Sequence, residues 1–250
     1  MSRGSMSGHL APGAVATDGA ADFCRTCALS SVCAMVGYGK PELSPLHSLM
    51  EHLGPYRAGE AVFHQGDPFE AVYAVRAGTV KTRQLDHQGR EHVLGFFLPG
   101  EVIGLDAIYP DRFPCDAVAL DDAQFCRFSF PAMSVLATRQ PAVQRHLFRL
   151  ISRPLGAARL LAGDHSADER LAAFLVDFGE RHAVRGFSGT HYQLSMSRSD
   201  IASYLSLAAE TVSRTLSRFR AKGLVAIKGR VLHLRDQQQL RELGQNLLAA

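Results

Sequence analysis

Between Arg57 and Phe130, short apolar and β-branched stretches alternate with turn residues at Gly59, Gly66-Asp67-Pro68, Gly78, Gly89 and Pro99-Gly100. That rhythm predicts many short antiparallel strands joined by tight turns, closed into a small β-barrel or roll. After Pro131 the period lengthens. Leu147, Leu150, Ile151, Leu155, Ala158 and Leu161 recur at three- and four-residue steps and predict a helix of about five or six turns. Such a stripe must be covered: it folds back on the barrel, or two copies pair across a twofold axis, and the length favours pairing. Pro154 should kink or start that helix. A second helix is predicted from Ala167 to His182, with Leu171, Phe174, Leu175 and Phe178 on one face.

Downstream of a polar and aromatic connector from Gly186 to Ser197, the pattern shortens again. Ser199-Asp200 reads as the cap of a short helix carrying Ile201, Ala202 and Leu205. A turn at Ser206-Leu207-Ala208 follows, then a helix from Ala209 to Lys222. Two short helices joined by a three- or four-residue turn make a helix-turn-helix. Alternation around Lys228-Gly229-Arg230 adds a β-hairpin wing. The segment 1–22 is rich in Gly, Ala and Ser and reads as a flexible lead.

Length and composition change this picture little. At 250 residues the chain fits two domains, each able to bury a core. No apolar run approaches the ~18 residues of a membrane span, and the N-terminus does not resemble a signal peptide, so the expected location is the cytoplasm. In that reducing setting five cysteines are poor material for structural disulfides. Charge is more informative. Eight Lys or Arg against two acids between Arg198 and Arg235 give +6 there, which leaves −3 for the rest of a chain whose total is +3. A basic C-terminal part suits attraction to a phosphate backbone.

Two constellations carry chemistry. Glu210-Thr-Val-Ser213-Arg214 opens the second helix of the helix-turn-helix, the part of such a helix that enters the major groove. Arg214 suits a bidentate bond to guanine, Glu210 can accept from cytosine, and Ser213 reaches an adjacent base or phosphate. Arg198, Arg218, Arg220, Lys222, Lys228 and Arg230 are placed as phosphate contacts. The plain alternative is an exposed Glu210–Arg214 pair worth about 0.2–0.5 kcal/mol. Cys24, Cys27 and Cys33 form a Cys-x2-Cys-x5-Cys group suited to an iron–sulfur cluster or zinc. Cys115 and Cys126 are the candidates for a fourth ligand. Spacing does not choose between them, and a loop position for Cys115 argues for exposure there.

These residues together resemble the CRP/FNR superfamily, and within it the FNR branch of oxygen-responsive transcription regulators. The resemblance rests on the three N-terminal cysteines, Tyr73-Ala-Val-Arg-Ala-Gly78-Thr-Val-Lys81, Ala167-Asp-Glu-Arg-Leu-Ala-Ala-Phe174 and Glu210-Thr-Val-Ser213-Arg214, and covers nearly all of the chain after the lead. It implies an α+β fold with an N-terminal antiparallel β-roll of the cyclic-nucleotide-binding type, a long dimerisation helix and a C-terminal winged helix-turn-helix. The corresponding boundaries are 23–140 for cysteine segment plus roll, 141–165 for the helix and 166–250 for the DNA-binding domain. It also implies a [4Fe-4S] cluster on Cys24, Cys27, Cys33 and Cys126, because Phe125-Cys126-Arg-Phe-Ser-Phe-Pro131 matches the family's fourth-ligand segment.

The function implied is a cluster-dependent homodimer that binds a TTGAT-N4-ATCAA-like palindrome on double-stranded DNA and controls anaerobic or microaerobic genes with RNA polymerase as partner. No enzymatic activity and no membrane partner are expected. Two departures stand out: Ser206 occupies a turn position where the family commonly has Gly, and Arg90, in the Asp86 to Glu91 turn that resembles the polymerase-contacting surface, stands where an acid is common. The competing readings are a regulator with structural zinc or another effector, and a cyclic-nucleotide sensor. Against the latter, Gly100-Glu101 is followed by Pro114-Cys115-Asp116, whose carboxylate would repel a phosphate.

Overall fold

A computed structural model describes residues 50–139, 141–157 and 164–248. Eight strands form the roll: β1 (Met50–Tyr56), β2 (Ala61–Phe63), β3 (Ala71–Ala77), β4 (Val80–Leu85), β5 (Glu91–Phe97), β6 (Val102–Ile103), β7 (Asp116–Ala119) and β8 (Ala123–Ser129). They pair antiparallel in two four-stranded sheets, ordered β1-β8-β3-β6 and β2-β7-β4-β5. The turn that separates β3 from β4 shows why glycine is needed there. Gly78 has φ +80°, and a Cβ on it would stand 2.5 Å from the Asp122 carbonyl oxygen.

Side-chain alternation divides β8 between two cores. Ala123 and Phe125 point into the roll with Phe63, Tyr73 and Phe113, whereas Cys126 and Phe128 face outward under the next helices. Those helices are α1 (Phe130–Arg139) and α2 (Pro141–Ala157). Met133 of α1 and Val143 of α2 close over Val72, Ala74, Cys126 and Phe128. Pro141, not Pro154, begins α2, which suits a residue that lacks an N–H and tolerates the first turn. Pro154 lies within the last turn and a half of that helix. Residues 164–166 lie outside any helix, so residues 164 and 165, expected to end the dimerisation helix, belong to the approach to the next one.

The C-terminal part comprises α3 (Ala167–Ala183), β9 (His191–Gln193), α4 (Arg198–Tyr204), α5 (Ala209–Ala221), the hairpin β10 (Val225–Lys228) and β11 (Val231–Leu234), α6 (Gln237–Leu243) and α7 (Gln245–Leu248). Ser166 and Glu169 form a reciprocal capping box at the start of α3. The cap of α4 is Ser197 with Asp200 as its N3 partner, rather than Ser199-Asp200, because Ser197 has the extended backbone that a cap requires. Strand β9 pairs with β11, so part of the expected connector joins the wing in a three-stranded sheet.

The roll keeps a core of its own around Phe63, Tyr73, Phe113 and Phe125, but the C-terminal core also draws on it. Val93, Phe96 and Leu98 belong to the same buried cluster as Leu171, Phe174 and Ile201. Thus β5 of the roll supplies a wall of the C-terminal core.

Candidate nucleic-acid interface and candidate ligand thiols

Helices α4 and α5 meet through a turn in which Ser206 adopts φ +54°. Leu207 N–H bonds back to the Ala202 carbonyl at 2.9 Å, and Ala208 starts α5 without a side-chain cap. Val212, Leu216 and Phe219 fasten α5 to the core, leaving its opposite face in water. Glu210, Ser213 and Arg214 all lie exposed on that face near the N-terminus. Arg214 Nη1 stands 3.8 Å from Glu210 Oε1, with side chains 68 % and 79 % exposed. Such a wet i,i+4 pair is weak, so both groups stay available to base edges. Ser213 Oγ donates to the Ala209 carbonyl at 3.0 Å.

The expected phosphate contacts divide. Arg220, Lys222, Lys228 and Arg230 are exposed around the end of α5 and the wing tip. Arg198, at the first position of α4, is half-buried, and desolvation lowers its pKa from the usual arginine value. With Ser213, Ser217 and Arg220 it lines a hollow beside α5. Arg218 differs from these in having a carboxylate partner within the chain. Its guanidinium grips the Asp168 carboxylate on α3, with Nε also donating at 3.2 Å, and a further bond reaches Thr215 Oγ1 at 3.1 Å. An arginine oriented this way joins two helices inside the subunit while its side chain stays 46 % exposed.

On α2 the apolar stripe splits in two. Leu147 and Leu150 are half-buried against the cluster that holds Cys126 and Met133. Phe148, 60 % exposed, and Ile151, 41 % exposed, form the open apolar edge. The helix therefore folds back on the roll with one row and leaves another exposed, in which Ile151 of the predicted stripe stands beside Phe148, a residue outside that stripe. The side chain of Leu155 and all of Ala158 and Leu161 lie outside the described residues.

Cys24, Cys27 and Cys33 also lie outside the described residues. Cys126 Sγ sits 3.6 Å from His52 Nδ1, across the β1–β8 register, and Arg76 Nη1 lies 3.1 Å from the same nitrogen. Burial, then the Arg76 charge, pushes the His52 pKa down. Cys115 occupies the loop before β7, as expected, but it is fully buried in the roll interior and not exposed. Burial, reinforced by the Asp106 carboxylate 3.6 Å away, drives its thiol well above the ordinary range, which disfavours the thiolate that a metal ligand needs.

The roll interior offers little to a cyclic nucleotide. Phe63 and Phe113 stack at 3.8 Å and Tyr73 meets Phe125 edge-on, filling the space between the sheets. Asp116 accepts from Gln65 N–H at 2.9 Å and from Arg83 at 3.2 Å. The Glu101 carboxylate turns away from the roll interior toward Arg181. The Asp86 to Glu91 turn is organised by Asp86, which accepts from the Gln88 and Arg90 N–H groups and from Arg90 Nε at 2.6 Å. Among the described residues no helix is long and apolar enough to cross a membrane.

Comparison with known proteins agrees with this geometry. Residues 54–140 match the cyclic nucleotide-binding domain model and residues 169–243 the Crp-like helix-turn-helix domain model. The chain is 38 % identical over 224 residues to the transcriptional activator protein Anr of Pseudomonas protegens, covering 88 % of this chain and 92 % of that one. It is 34 % identical to the fumarate and nitrate reduction regulatory protein of Escherichia coli K12, over 92 % and 93 % of the two chains. Among solved structures, FixK2 from Bradyrhizobium japonicum superimposes with a TM-score of 0.68 at 31 % identity, covering 78 % of this chain and 96 % of that one.

Proposed function

The chain belongs to the CRP/FNR family of transcription regulators, and on that premise we propose that it is an oxygen-responsive regulator of anaerobic or microaerobic gene expression. It acts as a cytoplasmic homodimer on a TTGAT-N4-ATCAA-like palindrome, with RNA polymerase as partner and no enzymatic activity. The observation that carries this reading is the position of Cys126. Its sulfur side belongs to the apolar cluster on which Met133, Val143, Leu147 and Leu150 pack, so the candidate ligand and the seat of α2 share neighbours.

The donor set fits a [4Fe-4S] cluster: thiols at Cys24, Cys27, Cys33 and Cys126 would hold it, and the burial of Cys115 in the roll interior beside the Asp106 carboxylate supports leaving it out. A bound cluster supplies oxygen-reactive iron and sulfide. What the chain does is mechanical. Ligation at Cys126 would hold the outer face of β8 in one arrangement, and the exposed edge of α2 at Phe148 and Ile151 is the surface that a second copy would cover. Pairing sets two α5 helices about one DNA turn apart. Arg214 and Glu210 read a G·C pair in each half-site, while Arg198, Arg220, Lys222, Lys228 and Arg230 neutralise phosphates. The filled roll interior favours this reading over cyclic-nucleotide sensing.

Anaerobic purification with iron, sulfide and zinc analysis, followed by titration on the palindrome before and after air, tests the proposal. Broad absorbance near 400 nm, about four irons per chain and binding lost in air are expected. Colourless protein holding stoichiometric zinc, with air-insensitive binding, would refute oxygen sensing and leave a DNA-binding regulator whose thiols are structural.

A further inference from the structure

The contact between the roll and the DNA-reading part is cemented by charge in its interior. Glu101, on the roll, receives two parallel bonds from Arg181 of α3, Nε to Oε1 at 2.9 Å and Nη2 to Oε2 at 2.6 Å. Arg185 Nη2 adds a third contact at 3.0 Å. The three side chains are only 8 %, 16 % and 5 % exposed. Burial alone would raise the Glu101 pKa, but the two guanidiniums outweigh it and hold the carboxylate ionised. A second joint lies at the start of the helix-turn-helix. Lys81 of β4 donates to Asp200 at 2.5 Å and also binds Glu91, while Asp200 is itself the N3 partner in the α4 capping box. Ser203 of α4 accepts from the Val93 N–H at 2.9 Å, so a β5 backbone donor is committed to a helix of the reading head.

Apolar burial of Val93, Phe96 and Leu98 against α3 is non-directional and tolerates sliding. Buried ion pairs add little net stability, since desolvation offsets attraction, but a two-bond guanidinium–carboxylate fork such as that at Glu101 is satisfied only in a narrow range of orientations. A fork of two bonds at Glu101 and a point contact at Lys81 constrain the joint at two separated places, which suppresses rotation about either.

We propose that Glu101 and Lys81 are positioning residues for DNA reading: they lock each reading head to its own roll at one angle, and thereby set the half-site spacing that the dimer accepts. The inference rests on the proposed function, because it needs a dimer that binds a palindrome. Its consequence is that roll and reading head move as one body, and regulation acts by bringing two such bodies together.

The test measures affinity of the full chain, purified anaerobically, for palindromes whose half-sites are separated by the family spacing or by one or two extra base pairs. Lys81→Met, Glu101→Gln and the milder Ser203→Ala are compared with wild type, and Lys81→Arg serves as the conservative rescue. Melting curves and sedimentation confirm that each variant is folded and paired. Wild type should disfavour one added base pair by about tenfold or more, since that insertion turns one half-site by about a tenth of a helical turn. Lys81→Met and Glu101→Gln should cut that preference at least about threefold, Ser203→Ala should act in the same direction, and Lys81→Arg should restore it. Folded, paired variants that bind more weakly at every spacing with an unchanged preference would overturn the proposal. Wild type that binds none of the duplexes would instead remove the DNA-reading premise, and the inference with it.

Discussion

Arg214 and Arg218 stand four residues apart on one helix and should fail in different ways. A bidentate arginine–guanine contact is worth roughly 1–3 kcal/mol of discrimination. Freeing Arg214 from its exposed Glu210 partner costs about 0.2–0.5 kcal/mol. The net is roughly 0.5–2.5 kcal/mol per half-site, or ~1–5 kcal/mol for two, with a midpoint near a hundredfold in affinity ratio. Arg214→Ala should therefore lose about a hundredfold preference for the palindrome over one with its G·C pairs replaced by A·T, while its salt dependence changes little. Arg218→Ala should leave both preference and salt slope intact, because that guanidinium is held by Asp168, and should lower stability only slightly, the pair being exposed and screened. Lys222→Ala provides the contrast: removing one phosphate-neutralising charge from each subunit of the dimer should reduce the slope of log affinity against log salt by about 1.8. Fluorescence anisotropy at several salt concentrations reads all three. If Arg218→Ala lowers the slope as Lys222→Ala does, or if Arg214→Ala weakens binding to both sequences equally, the assignment of roles on α5 is wrong.

Further outcomes follow from the same geometry. Phe148→Asp should weaken dimerisation roughly thirtyfold to several hundredfold, from about 1–2 kcal/mol of burial lost per copy, as read by analytical ultracentrifugation; Leu147→Ala should chiefly lower the melting temperature. Ser206→Gly should stabilise by about 0.5–1 kcal/mol in urea titration, because relief of the left-handed serine, worth about 1–2 kcal/mol, exceeds the added chain entropy, and a loss of stability would contradict this. Glu101 has a depressed folded pKa, so its contribution is present above the ordinary carboxylate value and disappears as pH falls through the folded value. Glu101→Gln should accordingly flatten the acid limb of stability against pH, and an unchanged limb would show that other carboxylates dominate it. Cys115→Ala should leave cluster iron content unchanged, whereas Cys126→Ala should abolish it, by iron analysis of anaerobic protein.

Strand alternation from Arg57 to Phe130, the α5 face and the wing were legible in the sequence because each depends on periodicity and turn chemistry within a few residues. Glu210, Ser213 and Arg214 needed only their place at the start of a helix. Local reasoning expected Cys115 to be exposed and the structure buries it, because a loop position does not guarantee contact with water; the choice of Cys126 rests on the family resemblance. Tertiary structure alone decided the rest. Arg218 reads as one more cation of a basic helix until Asp168, 50 residues earlier, is brought beside it. Leu147 and Phe148 are adjacent apolar residues, and only the packing of α2 on the roll shows which faces inward. The Glu101–Arg181 and Lys81–Asp200 joints span 80 and 119 residues and carry no local pattern. Short-range order follows from backbone geometry and amphipathic period, which the chain carries at every position. Long-range ion pairs depend on which surfaces meet, and that is set by the sum of burial over the whole molecule.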